Sequence, residues 1–379
     1  MTEWRRILKE QLSDIPPILD VDSATTLYSE ADINDLMHTA MERRKLQVPG
    51  SKVTYLVDRN INYTNVCTIN CQFCSFYRPP EHRDAYTQSV EQIRRRVSEL
   101  ERFGGSRILM QGGVNPNLSL QWYLNLLNEL RTHHPSIDLD CFSPIEIEGI
   151  ADLCGMTTYE VLSELTAAGL HGLPGGGAEM LVDQIRFDVS PKKGSSDNWL
   201  KVMEEAQQLG LVTSATNVFG FGESIGQRIE HMEKIRQLQD RSISKGISHF
   251  TSFISWPVML ANNSLGMRNS GQNLFELGSG AVEYLRHVSI SRLFFHNIPH
   301  IQASWPTMGM DIAQMALFAG ADDIGSTMME ENVVSSSGAI KTEASETELR
   351  QVIREAGYIP VKRDSEYNFL DFERIVSVV

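Results

Sequence analysis

Apolar residues three and four positions apart mark Glu91–Phe103 and Asn198–Leu209 as amphipathic helices. Each lies between short runs rich in β-branched and aromatic residues. This alternation begins near residue 53 and recurs eight times. The strand candidates are Val53–Val57, Arg107–Met110, Ile137–Cys141, Leu170–Leu173, Val212–Thr216, His249–Ile254, Ser291–Phe295 and Gly320–Ile324. Strand–helix alternation implies parallel strands joined by right-handed crossovers. Eight units predict an α/β fold of (β/α)8 TIM-type barrel architecture rather than an open doubly wound sheet. Residues 1–50 read as a polar helical extension, with Asp22 or Ser23 capping one helix and Glu30–Met41 forming another. The barrel is expected over 51–335. Ala261–Glu276, rich in Asn, Ser and Gly, reads as a long surface loop. Residues 336–379, helical over Glu346–Glu355 and extended over Tyr358–Arg363, are expected to pack on the barrel exterior.

Composition narrows the class. The chain has 379 residues, 41% of them hydrophobic, enough for a sizeable core. A net charge of −14 argues against a nucleic-acid or anionic-membrane partner. No apolar run reaches membrane-spanning length, and the charged start Met1–Glu10 lacks the apolar stretch of a secretory signal. Five cysteines, three of them clustered, suggest a reducing compartment and a metal rather than disulfides, so the cytoplasm is the expected location.

The clustered cysteines are Cys67, Cys71 and Cys74, in a C-x3-C-x2-C spacing. A structural zinc site wants four closed ligands, and an iron–sulfur cluster usually wants four cysteines. Three thiolates leave one iron open to a small molecule. Two plainer readings stand beside this one: a zinc site completed by His82, and three buried thiols. A loop of this spacing directly after a strand-like run favours the cluster.

A barrel enzyme draws its site from the loops at the carboxyl ends of its strands. In that frame the cysteine loop follows the first strand. Gln111-Gly112-Gly113, Phe142–Ile147, Leu173–Glu179 and Thr216–Glu223 follow the next four, then Ser255–Pro257, Asn297–Trp305 and Gly325–Asn332. Paired glycines let backbone approach a ligand closely. Taken singly, each motif is more often ordinary. Pro-Gly-Gly-Gly is usually a turn, Trp256 and Trp305 are usually core, and Glu179, Glu223, Glu330 and Glu331 suit helix starts. All of them falling on the face that carries the cysteine loop is what favours a site.

With Phe73 just before its last cysteine, the loop resembles the signature of the radical S-adenosylmethionine enzymes. Gln111-Gly-Gly, Ser143-Pro-Ile-Glu-Ile, Pro174-Gly-Gly-Gly-Ala-Glu, Gln302-Ala-Ser-Trp and Glu330-Glu-Asn-Val-Val are similar to that superfamily's futalosine-route enzymes of menaquinone biosynthesis, above all its ring-closing synthases. The likeness runs from about residue 50 to the C-terminus. It implies a [4Fe–4S] cluster on Cys67, Cys71 and Cys74, with S-adenosylmethionine on its open iron. A 5′-deoxyadenosyl radical would take a ribose hydrogen at C4′ of dehypoxanthinyl futalosine, and the carbon radical would add to the benzoate ring. It further implies cofactor contacts at Phe73, Gln111, Gly112, Gly113, Ser143, Glu146, Asn217 and Gly222. Substrate contacts are expected at Gly175, Gly176, Arg186, Gln302 and Trp305, with Arg186 or the amides of Gly175–Gly177 meeting the carboxylate. Phe142, Phe219, Phe221 and Trp305 would supply an aromatic lining. Glu179, Glu330 or Glu331 would take the final proton. The expected partners are a small nucleoside substrate and a low-potential electron donor such as flavodoxin or ferredoxin.

The chain departs from the family pattern at Asp140 and Gln207, where histidines are expected, across Thr216–Phe221, where Met and His are expected, and at Phe295-His296, in place of a Leu-Asp pair. These departures lie near the expected mouth and bear on the substrate. The alternatives are an aminofutalosine synthase-like or other divergent radical enzyme of the group and, from another class, a non-catalytic iron–sulfur or zinc protein.

Overall fold

The computed structural model describes residues 1–268 and 277–370. Ten strands form one sheet: β1 Lys52–Leu56, β2 Asp58–Ile61, β3 Arg107–Met110, β4 Asp138–Cys141, β5 Gly172–Leu173, β6 Val212–Phe219, β7 Phe250–Pro257, β8 His300–Gln302, β9 Asp323–Ser326 and β10 Ile359–Lys362. Their order is β10-β1-β9-β8-β7-β6-β5-β4-β3-β2, and each pairing is parallel. The sheet curls until its β2 edge meets the chain leaving β9. There Asn60 N–H donates to Met329 O at 3.0 Å, and Thr327 N–H donates to Leu56 O at 3.0 Å. The TIM-type expectation holds, with helices outside the sheet.

Four details differ from the expectation. Ser291–Phe295 is not a strand, because Ala281–Phe294 is a helix. That helix is buried without a break from His287 through Phe294, so it shows no amphipathic period to read there. Ser289 and Ser291 hydroxyls donate to the carbonyls four residues back, Leu285 and His287. The strand proper, β8, lies inside the segment read as a loop, just after Pro299. The candidate at Gly320–Ile324 begins later, at Asp323. β2 is polar in sequence yet fully buried, because it continues β1 after a break at Val57 and pairs with β3.

The fourth detail concerns the tail. Helix Glu346–Glu355 lies outside the barrel, but β10 joins the sheet beside β1, and the chain beyond it turns under the barrel. Arg363 and Ser365 there are buried and reach the central cavity. The expectation of a purely exterior tail is therefore corrected for 359–370. Residues 371–379, and the second half of the Ala261–Glu276 loop, lie outside the described residues. At the other terminus, helices Glu3–Gln11, Val21–Glu30 and Ile33–Gln47 pack on the barrel rather than standing apart. Buried Arg44 ties them to it through Ala321 O at 3.1 Å and Lys52 O at 2.7 Å.

Candidate active site

The cysteine loop is fastened at both ends. Cys67 N–H donates to Arg78 O at 2.9 Å, and Arg78 N–H donates to Asn65 O at 2.7 Å. The Arg78 guanidinium then donates to the carbonyls of Ser75, Phe76 and Tyr77 at 2.8–3.3 Å. Asn70 takes the left-handed φ of 57° that Asn tolerates better than most residues. Distant segments hold the middle. Thr68 N–H donates to Val114 O at 3.1 Å, Gln72 N–H to Val189 O at 2.9 Å, and Asn263 Nδ2 to Phe73 O at 3.0 Å. Cys67, Cys71 and Cys74 are half-buried and free of disulfides. Burial pushes the Cys67 thiol up, and burial with the added charge of Cys71 pushes Cys74 up to about 11. Thiols so placed ionise readily only beside a cation. His82, the proposed fourth zinc ligand, instead accepts from Asp84 N–H through Nδ1 at 3.1 Å.

A cavity of about 320 Å³ opens beneath this loop and runs down the barrel axis. Phe73 and Cys74 line its upper end, and Arg107, Asp140, Ser365 and Tyr367 line its lower end. Of the expected residues, Gln111, Gly176, Glu179, Gln302, Trp305 and Glu331 line it. Gln111 Nε2 is spent on Phe142 O at 3.0 Å, while Trp305 Nε1 donates to Ser326 O at 3.0 Å and leaves its ring face inward. Phe73 meets Phe221 with ring centres 5.4 Å apart. That contact brings the cysteine loop to the Gly220–Gly222 segment, in which both glycines have positive φ.

Glycine at 113 is required by the cysteine loop itself. A Cβ there would stand 2.3 Å from Val66 O and 2.6 Å from Cys67 Cβ. At Gly112 it would stand 2.8 Å from the Tyr63 ring. Neither glycine lines the cavity; both press the second loop against the first.

Several expected contacts are placed elsewhere. Glu146 lies behind the cavity and spends its oxygens internally, accepting from Tyr63 OH at 2.6 Å, Ser143 Oγ at 2.6 Å and Gly112 N–H at 3.0 Å. Burial pushes its carboxyl above the usual range despite these donors. Glu146 and Ser143 therefore brace the Gln-Gly-Gly loop rather than face a ligand. Arg186 is buried and does not line the cavity; its Nε donates to Gly194 O at 2.6 Å and its Nη1 to Gly177 O at 2.9 Å and Ala178 O at 2.8 Å. Gly175 is likewise spent, its carbonyl accepting from Thr216 Oγ1 at 2.5 Å. Asn217 is buried away from the cavity and supports the Glu179 carbonyl at 2.8 Å. Phe142 packs on Tyr63 and Tyr123, and Phe219 stacks on His287, so neither is lining.

The three candidate bases separate cleanly. Glu330 faces outward between Arg59 and Arg96, at 2.8 and 2.6 Å, and does not line the cavity. Glu331 lines it, but its oxygens accept the N–H groups of Val333, Val334 and Ser335 at 2.8–2.9 Å, which makes it a helix cap. Glu179, at a positive φ of 42°, turns its carboxylate inward against the buried Lys193 ammonium. Burial works against that ammonium, but Cys71 and Glu179 outweigh it and hold its pKa above the lysine norm. Lys193 also lies 5.5 Å from the Phe73 ring centre. Sequence reasoning missed Lys193; a lysine in a Pro-Lys-Lys-Gly turn reads as solvated.

The departures also move. Asp140 lies low in the cavity, not at its mouth, accepting from Ser365 Oγ at 2.7 Å. Gln207 is buried outside the sheet between Thr213 and Ser242.

Three thiols on one loop, each within electrostatic reach of the others, suit a cluster that keeps one iron for an outside ligand. Residues 61–235 match the radical SAM superfamily, and residues 247–376 match the CofH/MqnC C-terminal region. The chain belongs to the radical S-adenosylmethionine superfamily, whose members use a [4Fe–4S] cluster and S-adenosylmethionine, and it is an enzyme. It is 38% identical over 352 residues to the cyclic dehypoxanthine futalosine synthase of Halalkalibacterium halodurans, covering 93% of this chain and 91% of that one. It is 36% identical to the 5-amino-6-(D-ribitylamino)uracil–L-tyrosine 4-hydroxyphenyl transferase of Methanopyrus kandleri, covering 92% and 93%. In fold it is similar to methylornithine synthase, with a TM-score of 0.69 at 17% identity over 93% of this chain and 97% of that one. Among the described residues no helix is long and apolar enough to cross a membrane.

Proposed function

We propose that this enzyme closes dehypoxanthinyl futalosine to its cyclic product in the futalosine route to menaquinone. The observation that carries this reading is the cavity that joins Phe73 and Cys74 to Gln302 and Trp305, residues of the Gln-Ala-Ser-Trp run. When bound, the cluster and S-adenosylmethionine supply a 5′-deoxyadenosyl radical that removes a hydrogen atom from the substrate.

The chain's own residues then have these parts. Cys67, Cys71 and Cys74 hold the cluster. Phe73, packed on Phe221, would lie to one side of the adenine, with Gly222 letting the backbone approach. The Gln111–Gly113 loop, packed on the cysteine loop, would stand nearest the methionine amino group. Trp305 and Gln302 seat the substrate where its ribose carbon faces the benzoate ring, and the closed walls exclude water and stray hydrogen donors. Ring closure would form one carbon–carbon bond and leave a ring radical; restoring aromaticity would pass one electron to the oxidised cluster and one proton to a carboxylate. Of the three candidate carboxylates, Glu179 alone both lines the cavity and carries no backbone N–H on its oxygens, so it is the proposed acceptor. A low-potential donor such as flavodoxin or ferredoxin is the proposed electron source, and the cytoplasm the proposed setting.

Near-equal similarity to the hydroxyphenyl transferase supports one other reading, joining of a tyrosine-derived fragment to a ribitylamino-uracil. Anaerobically reconstituted, reduced protein given S-adenosylmethionine with each substrate set separates the two by product mass. A cyclic product isomeric with dehypoxanthinyl futalosine less two hydrogens is expected, and its absence with that substrate sinks the reading. In the same assay Cys74→Ala abolishes both iron uptake and 5′-deoxyadenosine.

A further inference from the structure

The lower end of the cavity is ionic, and most of its charges are matched. Arg107 donates through Nε and Nη2 to Asp58 Oδ2, at 3.2 and 2.5 Å. Arg363 donates to Asp323 Oδ2 at 2.6 Å, and Asp323 also accepts from Thr54 Oγ1 at 2.6 Å. Asp140 is matched by His171 Nδ1 at 3.2 Å and by Ser365 Oγ. Asp58 and Asp323 thus each have a guanidinium neighbour, while Asp140 has His171, a cation only when protonated, and the far side of Arg107.

One donor edge is left over. Arg107 Nη1 makes no hydrogen bond among the described residues; its nearest acidic atom, Asp140 Oδ2, is 3.6 Å away. The Arg107 side chain is 16% exposed, and it lines the cavity. A guanidinium oriented by a buried carboxylate, with one edge free toward an enclosed space, is prepared for a planar anion. Tyr367 and Ser365 line the same cavity. Tyr367 stacks on His300 at 3.8 Å and beneath the Arg363 guanidinium at 3.8 Å, while Ser365 sits beside Asp140.

We propose that Arg107, walled by the C-terminal tail residues Ser365 and Tyr367, forms the floor of the substrate cavity and receives a carboxylate at the end of the substrate furthest from the cysteine loop. For dehypoxanthinyl futalosine this is the benzoate carboxylate, an assignment that rests on the function proposed above. The tail is then part of the binding site, and the floor sets which molecules fit by their distal charge.

The test compares two ligands on one protein, so folding losses cancel. Calorimetry measures binding of dehypoxanthinyl futalosine and of its carboxamide analogue to the wild type and to Arg107→Gln, with Arg107→Lys as a second variant that keeps a cation beside Asp58. The wild type is expected to prefer the carboxylate by about 30- to 100-fold, the scale of one charged hydrogen bond. Arg107→Gln is expected to show a preference within about threefold, and Arg107→Lys an intermediate one. Full discrimination retained in both variants, or a wild type that turns the substrate over without discriminating, overturns the floor assignment alone. A wild type that neither binds nor converts the substrate overturns the function as well.

Discussion

At the mouth of the barrel the chain meets itself through glycine and main chain, whereas at the floor it meets itself through charged side chains. Gly112 and Gly113 let one loop press on another, and the cysteine loop is held by main-chain bonds and by side chains such as Arg78 and Asn263 that donate to its carbonyls. The floor is held by Arg107 with Asp58, Arg363 with Asp323, and Arg292 with Asp322. The buried charge at the mouth is the Lys193–Glu179 pair beside Phe73. Ion pairs cost desolvation, yet they close the barrel's lower opening and leave a directed donor inside.

Four measurements break or sharpen this contrast. The largest effect is expected at the floor. Arg363→Met strands the buried Asp323 carboxylate and should cost about 3–5 kcal/mol in urea unfolding; a loss under about 1 kcal/mol would mean that the pair is not what closes the barrel. At the mouth, Gly113→Ala drives a methyl into Val66 O and Cys67 and should cost about 2–3 kcal/mol. Iron bound per chain should fall with it, and full iron loading would show the loop to be pliant.

Acid should act on the floor next. Burial alone would raise the Asp322 carboxyl, but Arg292 and His300 outweigh it and hold its pKa at about 2, against 3.8 unperturbed. A lowered carboxyl contributes stability that is full above the unfolded value and is lost as pH falls from 3.8 toward 2. About 2 kcal/mol of acid-dependent stability should therefore separate the wild type from Asp322→Asn between pH 5 and pH 2, read from unfolding midpoints. Parallel curves for the two proteins would count against the assignment. The smallest effect is expected at Glu330. Glu330→Gln should leave turnover within about twofold and stability within about 1 kcal/mol, since Glu330 is partly exposed and the buried Arg59 keeps Glu99 at 2.6 Å. Glu179→Gln should slow product formation at least about 100-fold. Equal losses in the two variants would return Glu330 to the site.

Much of the mouth was legible in the sequence. Its motifs are local, so spacing alone marks the cysteines and the glycine loops, and the strand–helix period supplies the barrel. The floor was far less legible. Arg107, Ser365 and Tyr367 lie in three unremarked positions, and each looks like ordinary surface or strand. The Glu146 and Arg186 assignments failed for the same reason. A charged residue near a glycine loop reads as a ligand contact, yet both side chains spend their donors and acceptors bracing that loop. Ser291–Phe295 misread as a strand because a helix buried on every side carries no period.

The chain's linear order determined the cysteine spacing, the parallel α/β class and the superfamily, because those depend on residues within one loop or on a repeated local pattern. Only the tertiary structure decided which glutamate faces the cavity, that the tail reaches the barrel floor, and that Arg107 keeps one edge free. Those outcomes depend on which buried donors and acceptors have already satisfied one another across hundreds of residues, and no local spacing encodes that.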